Sequence, residues 1–284
     1  MRSKLFVPGA RPELFAKALA GDADALSFDL EDAVPLHLKG AARTAIASFL
    51  ATDAALQSPK VMIVRTNAPS TPYFADDVNE VMGEGVALLN LPKVESAAEV
   101  RAAVDVIALA EATHGLQRRT RLLVNIETPR ALAHAAAIAG AHPRVAGLQL
   151  GLADMFEPHG IDRHDRANLH AILFAVRMAA AQADVFVLDG AYADIADEEG
   201  FREEAAMARR LGYLGKSCVH PRQVALANAA FAVSEHELDT ARRIVEAAQA
   251  PANQGRGAFM VDGKMIDLPF LKRAQALLAA AHKS

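Results

Sequence analysis

Two carboxylates near the middle of the sequence could hold a metal ion. Glu127 ends the apolar stretch Leu122–Glu127, and Asp154 follows the next apolar stretch, Ala146–Gly151. If these stretches form adjacent parallel strands, the two carboxylates converge. Mg²⁺ is commonly bound through one or two carboxylates and keeps several water ligands. We therefore predict a magnesium site at Glu127 and Asp154. The competing interpretation is that either acid caps the next helix or pairs with an arginine.

A second acidic group lies at the end of the apolar stretch Ala25–Asp29, in the sequence FDLEDAV. Asp29 and Glu31 alternate along an extended chain and would face the same side. We expect Asp29, Glu31 and Asp32 to orient metal-bound water and neighbouring cations rather than to bind the metal directly.

Arg65, in the sequence VRTN, ends the next apolar stretch. Its planar guanidinium suits a carboxylate or an oxyanion. The alternative is a salt bridge to an acid such as Glu31 or Glu95. The two roles are compatible, because a paired arginine is well oriented.

Other charged residues follow the remaining apolar stretches. Lys93 and Lys216 are candidates for phosphate contacts or ion pairs, and Asp189 is expected at the same edge. His220 is interpreted as a structural hydrogen bonder, and Cys218 as a buried core residue. The motifs G-x-S-x-G and H-E-x-x-H are absent from the sequence, which disfavours acyl-enzyme chemistry and zinc hydrolysis.

The elements that must position these residues are short apolar runs alternating with helical patterns. About eight such units in roughly 220 residues predict a closed (β/α)₈ TIM barrel, in which functional groups gather at the carboxyl ends of the strands. The runs are almost continuously apolar, as expected of parallel strands buried on both faces. An open doubly wound sheet is the alternative, but VPGARPE after the first strand has one glycine and no dinucleotide fingerprint.

The length suggests an extension beyond the barrel. We predict a barrel over residues 1–225 and a C-terminal helical extension over residues 226–284. The segment Asn253–Asp267 is polar and rich in glycine. It is interpreted as a surface tail, a mobile lid, or an arm that reaches a neighbouring subunit.

Composition narrows the class of protein. The chain has 284 residues, is 52% hydrophobic and carries a formal net charge of −4. This composition disfavours a disordered chain and a nucleic-acid partner. One cysteine excludes an internal disulfide, and no stretch resembles a signal peptide or a membrane span. We expect a soluble, cytoplasmic protein.

Several motifs together resemble the HpcH/HpaI aldolase and citrate lyase beta-subunit-like family. In order, they are RSKLFVPG, FDLEDAV, VRTN, LPKVES, NIET, GLAD, GKSCVHPRQV and GAFMVDGKMIDLPFLKRA, and they span essentially the whole chain. The resemblance implies a (β/α)₈ barrel, Mg²⁺, an acyl thioester substrate, and a homotrimer or a hexamer built as a dimer of trimers.

The resemblance also implies roles for individual residues. Glu127 and Asp154 would bind the metal, and Arg65, together with Glu127, would bind the substrate. Asp267 resembles the acid/base that relatives present to the neighbouring subunit's site. Glu31 and Asp32 match the acidic motif that lies near the metal-bound waters. The cations that would contact the thioester cofactor are Lys4, Lys39 and Arg43. Where relatives often have G-A-E-D, this chain has GLAD, with Ala153 in place of an acid.

The function implied is that of a Mg²⁺-dependent carbon–carbon lyase. It would cleave a 3-hydroxyacyl-CoA thioester into a 2-oxo acid or carboxylic acid and an acyl-CoA, or catalyse the reverse condensation. Citramalyl-CoA and malyl-CoA lyases are enzymes of this type. The alternatives are a citryl lyase subunit that acts on an acyl carrier protein, a malate-synthase-like enzyme, and a class II 2-oxo acid aldolase. A non-catalytic scaffold is disfavoured because the charged residues are retained.

Overall fold

Eight parallel strands close into a barrel in this computed structural model, which describes residues 1–250 and 256–281. Each strand pairs with the next along the chain, and the eighth pairs with the first through Lys4 and Ser217. The strands are β1 (Ser3–Pro8), β2 (Ala25–Asp29), β3 (Val61–Arg65), β4 (Leu88–Leu91), β5 (Arg121–Ile126), β6 (Val145–Leu150), β7 (Phe186–Asp189) and β8 (Gly215–Cys218). The predicted TIM barrel is confirmed.

Helices connect the strands and cover the outside of the barrel. They are α1 (Phe15–Ala20), α2 (Lys39–Leu50), α3 (Asp53–Leu56), α4 (Phe74–Val81), α5 (Ala97–Thr113), α6 (Pro129–Ala133), α7 (Ala135–Ala139), α8 (Leu152–Phe156), α9 (Arg166–Gln182), α10 (Glu198–Arg210) and α11 (Pro221–Ala230). Short 3₁₀ turns lie at Pro12–Leu14, Leu36–Leu38 and Glu157–His159. The main hydrophobic core lies between these helices and the outward-facing residues of the strands, among them Leu26, Phe28 and Leu89.

The inside of the barrel changes from apolar to charged along the strands. A small apolar cluster fills the end where the strands begin: Ala25, Ile63, Leu88, Leu123, Ala146 and Leu188. Because strand side chains alternate between faces, every second residue after these also points inward. Ala25 is thus followed by Ser27 and Asp29, and Leu123 by Asn125 and Glu127. This alternation carries the charged groups to the carboxyl ends of the strands.

The chain divides into two compact units, Met1–Phe231 and Ala232–Ser284. The division predicted at residue 225 falls inside α11. In the second unit, α12 (Glu235–Gln249) begins with a capping box between Ser234 and Glu237. The unit continues with β9 (Ala258–Val261), β10 (Lys264–Asp267) and α13 (Leu268–Ala281).

The sequence analysis did not predict the hairpin of β9 and β10. These strands pair antiparallel across Asp262 and Gly263, which both have positive φ angles, of 50° and 75°. Such a pair is typical of a tight hairpin turn, and Asp-Gly is its usual sequence. Ile266 packs against α12 and α13 residues such as Ile244 and Ala274 in a small core. Part of the segment 253–267 lies outside the described residues, and its role as a lid or arm stays a prediction.

Among the described residues, no helix has the length and apolar character that a membrane crossing requires. Cys218 is buried and has no disulfide partner, as predicted for a core residue.

Candidate active site

Arg65 and Asp29 form a paired group at the carboxyl ends of β3 and β2. They are register partners on adjacent strands. Nε and Nη2 of Arg65 donate hydrogen bonds of 2.7 and 2.8 Å to the two carboxylate oxygens of Asp29. Burial acts to raise the pKa of Asp29, but the positive charge and hydrogen bonds of Arg65 lower it below its usual value. Asp29 is therefore a fixed anion that orients the guanidinium.

Glu31 links Arg65 to Lys93. Its two carboxylate oxygens lie 2.9 Å from Nη1 of Arg65 and 2.8 Å from Nζ of Lys93. Asp32 is exposed and lies 3.1 Å from the same ammonium. Lys93 thus forms ion pairs with the acidic group, which is one of the two roles predicted for it.

Glu127 lies just after β5 and is 2% exposed. Its Oε1 accepts a 2.5 Å hydrogen bond from the backbone N–H of Lys93, and its Oε2 accepts one of 2.9 Å from Nδ2 of Asn125. Lys93 has a φ of 53°, a left-handed conformation that directs its amide at this carboxylate. No residue in the sequence pattern pointed to this backbone contact.

Gly151, which directly precedes the helix that carries Asp154, packs against Glu127. The Gly151 N–H donates to the Ile126 carbonyl, so the ends of β5 and β6 are in contact. A Cβ on Gly151 would lie 2.4 Å from the Glu127 Cβ, a distance that leaves no room for a side chain. Asp154 follows in the first turn of α8, where its side chain is exposed.

This acidic group suits a divalent cation. Burial, together with the negative charges of Glu31 and Asp154, raises the pKa of Glu127 to about 7. A bound cation would offset that excess negative charge. Among the described residues, no cluster of three or more His, Cys, Asp or Glu side chains could hold a metal. Two carboxylates with open positions match the way Mg²⁺ is bound, with water or substrate as the other ligands.

Asp189 and Lys216 do not join this group, although both were expected at the same edge; Lys216 instead forms ion pairs, which is one of the two roles predicted for it. Leu188 faces the barrel interior, so its neighbour Asp189 faces outward. Lys216 is fully buried and pairs with Asp189 at 2.7 Å and with Glu204 of α10 at 2.5 Å. These residues join the strands to the helix layer.

The three cations expected to contact the thioester cofactor have contacts within the protein. Nζ of Lys39 donates to the carbonyls of Leu30 and Glu31 and to Oδ1 of Asn67. Nε of Arg43 donates to Asp77. These positions do not support the prediction that Lys39 and Arg43 contact the cofactor.

Lys4, the third of these cations, is fully buried inside the barrel, with Nζ 3.8 Å from the centre of the Phe6 ring. Burial and the nearby charge of Arg65 lower its pKa well below the usual value. This position does not support a cofactor contact for Lys4 either.

A groove that the sequence analysis missed opens beside the carboxyl ends of β1 and β8. It encloses about 500 Å³ and is lined by residues of β1, α1, α11 and the loops beside them, including Phe6, Arg11, Lys17, His220 and Val224, and it extends to residues 21–23 before β2. His220 also caps α11, since its side chain accepts from the Arg222 N–H, which confirms its structural role. The signal available in the sequence was the pair of cations Arg11 and Lys17 near the start of the first helix.

Asp267 ends β10 in the second unit. Its Oδ1 is buried and has no hydrogen-bond partner among the described residues. Its role as an acid/base stays a prediction.

The closed barrel and the group of acids, arginine and lysine at the carboxyl ends of its strands define an enzyme of the (β/α)₈-barrel class. The chain belongs to the HpcH/HpaI aldolase/citrate lyase family, whose model matches residues 2–221. The protein is therefore a lyase by family.

Individual relatives match over nearly the full length. The citrate lyase subunit beta of Escherichia coli (strain K12) is 36% identical over 287 residues, covering 100% of this chain and 94% of the relative. The L-malyl-CoA/beta-methylmalyl-CoA lyase of Cereibacter sphaeroides (strain ATCC 17025) is 32% identical, covering 99% and 94%. The structure of CitE from Mycobacterium tuberculosis, in complex with magnesium, acetoacetate and coenzyme A, aligns with a TM-score of 0.74 at 32% identity, covering 99% of this chain and 100% of that chain.

Proposed function

We propose that this protein is a Mg²⁺-dependent carbon–carbon lyase that converts a 3-hydroxyacyl-CoA thioester into a 2-oxo acid or carboxylic acid and an acyl-CoA. The observation that carries the proposal is the buried Glu127 carboxylate, which faces the negative charges of Glu31 and Asp154. Relatives with magnesium and coenzyme A in their crystal structures support the same cofactor and substrate class for this chain.

The reaction divides into two tasks. Cleavage removes the proton of the 3-hydroxyl group, turns its carbon into a carbonyl, and leaves an electron pair on the thioester α-carbon. That carbon must then gain a proton. When bound by Glu127 and Asp154, Mg²⁺ would polarise the oxygens of the acid half and stabilise developing negative charge.

Arg65 binds the carboxylate of the acid half in this proposal. Its hydrogen bonds to Asp29 occupy two of the five guanidinium N–H groups. Nη1 lies 2.9 Å from a Glu31 oxygen, and the Arg65 side chain is 14% exposed, so the substrate carboxylate would bind to the remaining N–H groups. A guanidinium fixed before the substrate arrives stabilises charge without reorganising.

The groove beside β1 and β8 is the proposed binding site for the cofactor portion of the thioester. Its volume is about 500 Å³, and its lining combines apolar residues with Arg11 and Lys17. These two cations would bind the phosphates of coenzyme A, while apolar residues such as Val224 contact the pantetheine chain.

Asp267 would supply the proton that the thioester α-carbon needs. A carboxylic acid can perform this step when it is positioned at the carbon. We propose that it acts in the site of a neighbouring subunit, within a homotrimer or hexamer located in the cytoplasm.

A panel of citramalyl-, malyl-, methylmalyl- and citryl-CoA, assayed with and without Mg²⁺, tests the proposal. We expect release of a 2-oxo acid from at least one thioester, only when Mg²⁺ is present. E127Q should remove both the activity and the Mg²⁺-induced rise in melting temperature. No release from any of the four thioesters would overturn the proposal for free CoA esters.

A second candidate is the citryl lyase subunit of a larger complex that acts on an acyl carrier protein. It is favoured by the 36% identity to a relative named as a citrate lyase subunit, against 32% to the malyl-CoA lyase. The same acyl groups attached to a carrier protein distinguish the two. Turnover of the acyl groups on a carrier protein, but not of the CoA thioesters, would favour the carrier-protein-dependent lyase subunit.

A further inference from the structure

Two buried asparagines form a hydrogen-bond chain that leads to Glu127. Nδ2 of Asn90 donates to Oδ1 of Asn125 at 2.7 Å, and Nδ2 of Asn125 donates to Oε2 of Glu127 at 2.9 Å. Asn90 is 0% exposed and Asn125 is 1% exposed. Both are inward-facing residues, on the adjacent strands β4 and β5.

The direction of this chain is fixed by the backbone. Nδ2 of Asn90 also donates to the carbonyl of Leu123 at 2.9 Å. A carbonyl can only accept, so the amide nitrogen of Asn90 must face Leu123. The second N–H of the same nitrogen then faces the oxygen of Asn125, which directs the Asn125 nitrogen to Glu127.

We propose that Asn125 is a positioning residue for the metal ligand Glu127, and that Asn90 acts through Asn125 by fixing the orientation of its amide. This inference rests on the metal role of Glu127 under the proposed function. The two Glu127 oxygens are held from opposite sides, Oε2 by Asn125 and Oε1 by the Lys93 N–H. The carboxylate is thereby aimed before a cation arrives.

Such outer contacts matter because a metal ligand that can rotate binds less tightly. Mutation of hydrogen-bonding partners of metal ligands commonly costs about 10- to 100-fold in metal affinity. A carboxylate without its donor would sample other rotamers, and binding would then have to order it. The effect should therefore appear in the dissociation constant of the metal itself, in the absence of substrate.

Titration calorimetry of Mg²⁺ into the purified full chain tests the inference. N125L replaces the amide with an apolar side chain of similar size, and we expect the Kd for Mg²⁺ to rise by about 10- to 100-fold. N90L should raise it by less. Because the two residues act in series, the double variant should bind Mg²⁺ no more weakly than N125L alone.

Q149M is the matched control. Gln149 is the register partner of Asn125 on β6, is 3% exposed, and its Oε1 has no hydrogen-bond partner among the described residues. The Q149M variant loses a buried amide at the same depth without removing any hydrogen bond from Asn90 or Asn125, and its Kd for Mg²⁺ should match that of the wild type. If N125L does not fold, N125S supplies a shorter polar side chain and should weaken Mg²⁺ binding in the same direction.

The outcomes separate this inference from the proposed function. If E127Q weakens Mg²⁺ binding while N125L and N125S leave it unchanged, the positioning role is wrong and the metal role of Glu127 stands. If E127Q itself leaves the Kd unchanged, the proposed metal site is wrong. Equal losses in N125L and Q149M would indicate a general loosening of the barrel interior and would overturn the inference.

Discussion

Asp29 holds Arg65 through two parallel hydrogen bonds between adjacent strand ends, at 2.7 and 2.8 Å. The pair is buried on the Asp29 side, since that carboxylate is 2% exposed. Nη1 of Arg65 lies 2.9 Å from a Glu31 oxygen, so the guanidinium is fixed in position before any ligand binds.

Replacing Arg65 with lysine keeps the charge and removes the planar fork. We expect R65K to lower kcat/KM by about 100-fold or more, the cost of losing one well-placed charge-stabilising donor. R121K, at an exposed position where β5 begins, is the control and should retain activity. Steady-state release of the acid product measures both. Full activity of R65K would show that the fork is dispensable.

Gly151 is predicted to be required for metal binding, although it offers no ligand. In G151A the added Cβ would lie 2.5 Å from Oε2 of Glu127, so the carboxylate must move. We expect the Mg²⁺-dependent rise in melting temperature to be reduced or lost. G140A is the matched control. Its added Cβ has room, because the nearest heavy atom is the Ala136 carbonyl oxygen at 3.6 Å. The same Mg²⁺ response in both variants would contradict the prediction.

Arg11 and Lys17 are predicted to affect binding of the thioester rather than its cleavage. R11A and K17A should each raise KM for the CoA thioester by about tenfold, equivalent to roughly 1.4 kcal/mol, with little change in kcat. A pantetheine thioester lacks the nucleotide phosphates and should show no difference between variants and wild type. An equal rise in KM for the CoA thioester and for the pantetheine thioester would mean that the groove does not contact the phosphates.

Asp267 is predicted to complete a neighbouring subunit's site. D267N should lower kcat by about 10²- to 10⁴-fold, the usual contribution of a general acid, and leave the Mg²⁺ affinity unchanged. Co-expression of D267N with E127Q gives mixed oligomers, in which an intact Glu127 and an intact Asp267 can meet in one site. Recovery of activity is expected only in the mixture. A mixture as inactive as its parents would argue against sharing between subunits.

The ion pair of Glu111 and Arg144 is predicted to make stability depend on pH. Its two nitrogen–oxygen contacts are both 2.7 Å. Burial acts to raise the pKa of Glu111, but hydrogen bonds from Arg144 and the Thr120 N–H lower it below 4.5. A lowered carboxyl pKa stabilises the fold above the unfolded-state value, and this contribution is lost as the pH falls through the folded-state value.

E111Q would leave the positive charge of Arg144 buried without a compensating anion, at a cost of up to about 3–5 kcal/mol near pH 7. In denaturant unfolding, the difference in free energy of unfolding between E111Q and wild type should narrow as the pH falls from about 4.5, near the unfolded-state pKa, through the lower folded-state pKa of Glu111. E84Q, which removes an exposed partner of Arg118, should change the free energy of unfolding by about 1 kcal/mol or less. A difference independent of pH would contradict the assignment.

Much of the fold was predictable because its signals are local. The eight apolar runs overlap the eight strands, and Ala25–Asp29 agrees at both ends. The hairpin of β9 and β10 was missed because its glycine-rich sequence was interpreted as a surface segment, although Asp262-Gly263 is a turn signal.

By itself, the sequence determined that Glu127 and Asp154 follow consecutive strands and that Asp29, Glu31 and Arg65 follow two others. Parallel strands deliver such residues to one end of a barrel, so their proximity follows from chain order. The sequence did not determine whether a strand residue faces the barrel interior or the helices, because strands buried on both sides show no apolar–polar alternation.

Only the tertiary structure decided that Asp189 and Lys216 face the helices while Asn90 and Asn125 face the interior. It also decided that a backbone N–H, that of Lys93, holds Glu127. Such contacts join residues more than thirty positions apart, and their geometry depends on strand register and backbone angles that residue types alone do not encode.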